Sequence, residues 1–524
     1  MLVSLSPEHV RAASRKRRTI LHYDARTVAT ECGGLRAPEG MSLADAYRAR
    51  LWGYIDTCIG QLDSIHWDAC FSDQIAFCRR GSLPQESNPV FHALWEQGFD
   101  AYDEYISGCR KRGLECFLSH RVSGPDVGGV EPLKREHPEY YIWDWTRMTN
   151  FAVPEMREYK LGFLREIMEL YDFDGYSLDF CRHTPFLEPG RQWELRENVT
   201  EFLRDLRKMT LGFEEKRGHP ILLSARVPET AEGCRQDGLD IAAWAKERLV
   251  DSLTVGSRSF EVDLESFRQE TGSSIRLFPC FDAHHQSDAY ADPPAEVLDA
   301  VFSNFWDQGA DGIVLFNLYA CDWDTYRRTC AAPFRAHRHS LEQVLPVLGD
   351  RALLAPLDKT FVVERRGGYP WENGAANNNR TKQLPRILKN SGAPETVFLQ
   401  VSDPVAERGD LSELFLDVLV YGVLPGDRLS VRFNGDDLAG ETEDGVADRQ
   451  IRPLQPEYVS GYHTGLLPER EERFTRVRCR VKPEAVLRGR NAVSVAILRT
   501  PDYPNLAKAE LERVELHVKY GKTV

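Results

Sequence analysis

The chain runs to 524 residues, 42% hydrophobic and 28% charged, a length that calls for two or three cores and a composition typical of a soluble globular protein. Its 80 acidic side chains against 66 basic ones leave a formal net charge of -14, which argues against a nucleic-acid backbone as the main partner. No apolar run of about 18 residues is present to cross a membrane, and the basic cluster Arg15, Lys16, Arg17 and Arg18 follows no apolar core of signal-peptide length.

A cytoplasmic location is therefore expected, with a mature exported form as the alternative. The twelve cysteines stand singly with no Cys-x-x-Cys pair, and Cys116, Cys280 and Cys479 fall inside apolar runs. That distribution predicts free buried thiols in a reducing compartment, not a disulfide framework or a zinc site.

From residue 19 to residue 315 short β-like runs alternate with helical stretches, the rhythm of a parallel sheet with crossover helices. The first strand is expected at 19–24, followed by a helix around 42–61. The second, at 64–68, leads through a long loop and one helix over 88–112 to the third, at 115–121. A helix over 153–170, with Met156, Leu161, Leu164, Ile167 and Met168 at helical spacing, precedes the fourth strand, expected in the stretch 171–183 and entered through Asp174-Gly175. A helix over 194–216 delivers the fifth strand at 220–226, and a helix over 239–248 the sixth at 251–255. The seventh is expected at 274–280 and the eighth at 312–317.

Eight such repeats in roughly three hundred residues predict a (β/α)8 barrel. An open doubly wound sheet would leave two strands unplaced, and no Gly-rich phosphate loop follows the first strand. Beyond about Pro346 helical periodicity fades. A loop rich in Gly, Asn and Arg over 365–380 precedes short alternating runs at 396–401, 414–420, 428–433, 474–481, 492–498 and 514–519, which predict a C-terminal antiparallel β-sandwich. The acidic stretch 436–448 reads as solvated loop, its spacing lacking a calcium-loop pattern. The expected organisation is a barrel over 1–345, a linker over 346–395 wrapping back on the barrel, and a sandwich over 396–524.

In a barrel of this kind the loops after the strands form the catalytic face. The strand ends then supply His22 and Asp24, Trp67 and Asp68, His120 and Arg121, Asp179 with Arg182 and His183, Arg226, the segment 257–263 with Glu261, Asp282 with His284 and His285, and Asn317 with Asp322. Gly-x-Ser-x-Gly and His-Glu-x-x-His are absent, so a serine hydrolase or a zincin is not indicated. Carboxylates beside aromatics suit glycosidic cleavage, in which one acid protonates the leaving oxygen and another carboxylate attacks the sugar or activates water. His120-Arg121 and Arg182-His183 suit an acidic or sulfated substituent, or alternatively the orientation of Asp68 and Asp179. Trp67 offers a face for a sugar ring. Trp306, among Val301, Phe302 and Phe305, reads as core.

The passage Asn150-Phe151-Ala152-Val153-Pro154-Glu155 running into Asp174-Gly175-Tyr176-Ser177-Leu178-Asp179-Phe180-Cys181-Arg182-His183 resembles the fourth-strand signature of glycosyl-hydrolase-like proteins related to family 10. Further matches are Gly238-Leu239-Asp240 to Trp244, Leu249-Val250-Asp251, and Gly309-Ala310-Asp311-Gly312 leading to Phe316-Asn317, so that the likeness covers about 17–345. It implies a (β/α)8 glycoside hydrolase needing no cofactor. The fourth-strand aspartate is similar to that of α-galactosidases and polygalactosaminidases, which implies Asp179 as nucleophile or base and an acid from a later strand. Glu261 is first for that part, with Asp282 and Glu229 as competitors.

The Asn-Glu pair that ends the fourth strand of the large retaining β-glycosidase clan is missing, so family-10 xylanase chemistry is not implied. Two other readings stand beside this one. They are a non-catalytic carbohydrate-binding barrel and a metal-dependent hydrolase drawing on Asp282, His284 and His285. The sandwich would bind polysaccharide, complete the site's rim or join two copies in a homo-oligomer.

Overall fold

The computed structural model describes residues 3–24, 28, 34–56, 59–71, 74–75, 80–83, 88–124, 132–142, 148–256, 259–282, 293–316, 343–365, 380–447, 473–499 and 508–521. Eight parallel strands close into a barrel: β1 (Thr19–Asp24), β2 (Leu62–Phe71), β3 (Glu115–Arg121), β4 (Gly175–Asp179), β5 (Leu222–Val227), β6 (Ser252–Val255), β7 (Arg276–Asp282) and β8 (Ile313–Phe316). Each is hydrogen-bonded to the next, and β1 pairs with both β2 and β8.

Around them lie α1 (Pro7–Ser14), α2 (Leu43–Ile55), α3 (Pro89–Glu96), α4 (Ala101–Lys111), α5 (Pro154–Leu170), α6 (Glu197–Arg217), α7 (Ala231–Asp237), α8 (Ile241–Glu247), α9 (Leu264–Thr271) and α10 (Ala295–Asp307). The eight-strand count holds. The single helix expected over 88–112 is two, because Gly98 takes a left-handed φ of 74° and Asp100 opens a new helix by accepting from the backbone N–H groups of Tyr102 and Asp103. An apolar pattern carries no mark of such a break unless the cap is recognised.

The period of two along the strands separates two cores. Outward residues, among them Leu21, Tyr23, Ile65, Trp67, Leu118, Leu178 and Leu223, join the helices in one large cluster. Inward residues Ile20, Phe278, Cys280, Val314 and Phe316 form a separate plug inside the barrel. The interior is more polar on the β3 to β5 side. Ser119, Ser177 and Ser224 stand in register across three strands, and Arg121, Asp179 and Arg226 form the next inward-facing row toward the C-terminal ends.

The sandwich comprises β9 (Lys359–Val362), β10 (Arg386–Leu388), β11 (Glu395–Val401), β12 (Leu411–Tyr421), β13 (Arg428–Phe433), β14 (Asp436–Leu438), β15 (Gly440–Ala447), β16 (Arg473–Arg480), β17 (Gly489–Leu498) and β18 (Ala509–Tyr520). One sheet runs β9-β18-β12-β16-β15 with β10 also on β18, the other β11-β17-β13-β14. Valines and leucines of both inner faces fill the space between.

The stretch 436–448, expected as loop, contains two exposed edge strands instead. Glu441 and Glu443 of β15 lie opposite Arg478 and Arg476 of β16, so cross-strand charge pairing takes the place of apolar alternation. The expected linker contributes β9 and β10 to the larger sheet. At the junction α10 lies against the sandwich: Lys519 pairs with Glu296 at 3.0 Å, and the Asn304 amide donates to the carbonyl of Gln400 at 3.0 Å. Cys109, Cys116, Cys181, Cys234, Cys280 and Cys479 are free and buried. No described helix is long and apolar enough to cross a membrane.

Candidate functional site

Strand ends β2 to β5 bring four charged side chains into one sequence of alternating sign: Asp68, Arg121, Asp179 and Arg226. Register places Arg121 beside Asp179 and Asp179 beside Arg226, while Arg121 reaches back to Asp68 with Nε donating to Oδ2 at 2.7 Å. Asp179 and Arg226 are wholly buried and joined at 3.1 Å. The other oxygen of Asp179 accepts the backbone N–H groups of Cys181 and Arg182, both at 2.9 Å. The carboxylate thus has a guanidinium on one oxygen and two backbone amides on the other.

Arg226 is held in turn by the carbonyl of Gly256 at 3.2 Å and lies 4.1 Å above the Phe316 ring, whose edge also packs on His22 at 4.3 Å. His22 is completely enclosed. Burial, then the positive charges of Arg226, Arg121 and Arg182, push its pKa well below the ordinary value, so the ring is neutral. His66, stacked on Phe117 just beneath, is pushed down to about 3, chiefly by burial. Arg182 is deeply buried, with Nε 3.4 Å from His183 Nε2, and His183 takes a left-handed φ of 62°. A side chain other than glycine there costs about 1 kcal/mol or more and marks a constrained turn directly after Asp179.

Beside this row, in the loop after β5, lies Glu229, 1% exposed. Its Oε2 is enclosed and makes no hydrogen bond among the described residues, with Arg380 4.0 Å away. Burial pushes the carboxyl up, opposed by the Arg380 charge. The same guanidinium pairs with Asp237 at the end of α7 at 2.7 Å, and burial lifts Asp237 to about 6.

Several expected site residues face elsewhere. Trp67 points outward and stacks on Tyr105 of α4 at 4.1 Å, edge-on to Trp52, so it is a core residue and presents no face to the mouth. Its odd position in β2 puts it on the face opposite His66 and Asp68. His120 likewise faces the helices, stacked on Phe163 of α5 at 5.3 Å. Glu261 turns toward the sandwich. Its carboxyl is pushed up to about 8 by burial, against a backbone amide of Glu364 and the charge of Arg490 on β17, and Oε1 is enclosed. The backbone N–H groups of Phe260 and Glu261 both donate to the Glu364 carboxylate.

Asp24 and Asp282 end β1 and β7, Asp24 in register with Asp68 and Asp282 with Phe316. His284, His285, Asn317 and Asp322 lie outside the described residues. Trp306 packs as expected, its Nε1 donating to the carbonyl of Leu348 at 2.7 Å.

Two participants were not foreseen. His66 sits at an inward position of β2, two residues before Asp68, which alternation alone identifies. Arg380 lies some 150 residues along the chain from Glu229, and no local pattern connects them. Among the described residues Asp417, Glu515 and His517 approach one another closely enough for a shared ion, but they lie in the sandwich and Arg478 already engages both oxygens of Asp417, at 2.7 and 2.6 Å.

No protein-family model matches the sequence, and no curated protein matches it. Solved structures with a similar chain course include a class V chitinase from Pseudomonas fluorescens Pf-5, 11% identical over 62% of this chain and 99% of that one, with a TM-score of 0.35. An α-amylase from Geobacillus thermoleovorans is 12% identical over 93% of this chain and 98% of that one, with a TM-score of 0.36. The catalytic domain of chitinase B from Arthrobacter TAD20 is 10% identical over 66% of this chain and 97% of that one, with a TM-score of 0.39. Similarity at this level leaves the reaction of this chain to be read from its own residues.

Proposed function

We propose that this protein is a glycoside hydrolase that cleaves an O-glycosyl bond of a poly- or oligosaccharide, with Asp179 as the nucleophile or base and Glu229 as the proton donor. The observation that carries the reading is the different surroundings of two carboxyl groups near the ends of neighbouring strands. Asp179 is paired with Arg226 and two amides, whereas burial favours the protonated form of Glu229. Hydrolysis needs one carboxylate as base or nucleophile and one acid as proton donor, and the hydrogen-bonded Asp179 suits the first part as the buried Glu229 suits the second. Glu229 takes precedence over Glu261 because the latter turns toward the sandwich. Kinship with the family-10-related glycosyl hydrolases rests on the sequence likeness alone, chiefly on the fourth-strand residues. Arg182 and His183, in the turn after Asp179, are the groups proposed to meet an acidic or sulfated substituent through charge-assisted hydrogen bonds.

Hydrolysis of a broad glycan panel by the full chain, with Asp179→Asn and Glu229→Gln beside it, tests the assignment. Each variant is expected to lose a hundredfold or more, on the order of what acid, base or nucleophilic groups supply. Full turnover by Asp179→Asn on a true substrate overturns the mechanism. Loss in Glu261→Gln with retention in Glu229→Gln moves the acid to Glu261.

A further inference from the structure

Chain beyond the barrel returns to it at a few points, and one of them reaches Glu229. Glu364 and Arg380 flank the stretch between β9 and β10. Glu364 fastens the loop after β6 through the N–H groups of Phe260 and Glu261, and that loop is tied to the one after β5 by the Asp263 N–H donating to the Glu229 carbonyl at 2.9 Å. Arg380 enters over α7. Its guanidinium forks between Asp237 at 2.7 Å and Glu229 at 4.0 Å, and its stem crosses Gly233, where an added Cβ would meet Arg380 Cδ at 2.8 Å.

We propose that Arg380 is a positioning residue for Glu229: anchored on Asp237, it holds the Glu229 carboxyl in place from outside the barrel, so that the candidate site is completed by the C-terminal part of the chain. The catalytic meaning of this rests on Glu229 being the proton donor, whereas the contact itself does not. The groups around Glu229 are Arg380, Arg226 from β5, Asp237 from α7, Cys181 after β4, Cys234 on α7 and Ser259 after β6. Arg380 and Arg226 are the cations among them. Arg226 is paired with Asp179 and acts on Glu229 more weakly, so Arg380 is the larger of the two charges that offset the burial of Glu229. Asp237 supplies the anchor, and Gly233 leaves room for the stem.

The test uses the full-length protein, with the carboxyl resonances of 13C-labelled glutamate followed against pH and Glu229 assigned from its loss in Glu229→Gln. In Arg380→Gln the Glu229 midpoint is expected to rise by about one pH unit, the size of effect expected of a charge at this distance. Arg380→Lys, which keeps the charge but lacks the fork, is expected to show a smaller rise. An unchanged or lowered midpoint in folded Arg380→Gln overturns the proposal. Should that variant not fold, a wild-type midpoint in Arg380→Lys overturns it equally. On an active substrate kcat is expected to fall more than tenfold with KM little changed, and the basic limb of the kcat profile to move upward with the midpoint. A chain that hydrolyses no glycan removes the glycosidase reading, yet the titration still decides whether Arg380 acts on Glu229.

Discussion

Asp179 and Arg226 are each enclosed completely, so neither tolerates the loss of its partner. Removing one member of a buried pair leaves an uncompensated charge, and Arg226→Met is expected to lower unfolding free energy by about 3–5 kcal/mol. The double variant Asp179→Asn with Arg226→Met is expected to recover much of that loss, a coupling that urea unfolding of the two single variants and the double one measures directly. Glu261 makes a different prediction. Its carboxyl stands at about 8 in the folded chain against an ordinary value of 4.5. The folded state therefore keeps a proton that the unfolded state gives up, and this contribution to stability is complete below the ordinary value and lost as pH rises toward 8. Glu261→Gln is expected to flatten that decline by more than about 1 kcal/mol, read from unfolding curves at pH 5 and pH 8.

At the level of the element, close packing constrains the start of β4. It begins at Gly175, where an added Cβ would meet the Phe117 ring at 2.3 Å and the Leu222 carbonyl oxygen at 2.7 Å. The ring can shift only into packed interior, and the backbone oxygen belongs to the neighbouring strand. Gly175→Ala is accordingly expected to cost about 2–3 kcal/mol by overpacking, checked by chemical denaturation. The loop after β6 depends on a single carboxylate, Glu364, for two of its N–H groups. Glu364→Ala leaves those donors without their partner, and a loss of about 1–3 kcal/mol is expected. The loop's shift should also be visible as faster amide exchange at Phe260 and Glu261.

Across the whole molecule the two cores interpenetrate. Val362, Leu419 and Phe474 of the sandwich belong to the barrel's outer cluster, and Ala300 of α10 belongs to the sandwich's. Apolar surface shared in this way couples the two units. The full chain is expected to unfold in one transition, with fluorescence and circular dichroism curves coincident. A fragment ending at residue 345 would expose the face of α10 that meets β9 and is expected to unfold at least several degrees lower or to aggregate. Two well-separated transitions in the intact protein would contradict this shared core.

Periodicity alone determined the barrel. Alternation along β1 and β3, and helical spacing between strands, are consequences of local geometry, and a closed eight-strand sheet is the arrangement that buries all of them. The same periodicity marked the strand ends, and with them Asp179, as the face where polar groups gather. Adjacent residues at a strand end point to opposite faces, and so Trp67 and His120, expected at the mouth together with Asp68 and Arg121, pack against helices instead. The break at Gly98 and the paired edge strands at 436–447 escaped for another reason: caps and cross-strand charge pairs carry no apolar rhythm. The tertiary structure decided what depends on distance through space. It gave Asp179 to Arg226 and not to Arg182, turned Glu261 toward the sandwich, and brought Arg380 over Glu229. Burial and charge act between groups that the closed fold sets side by side, and their separation along the chain leaves no trace in any window of the sequence.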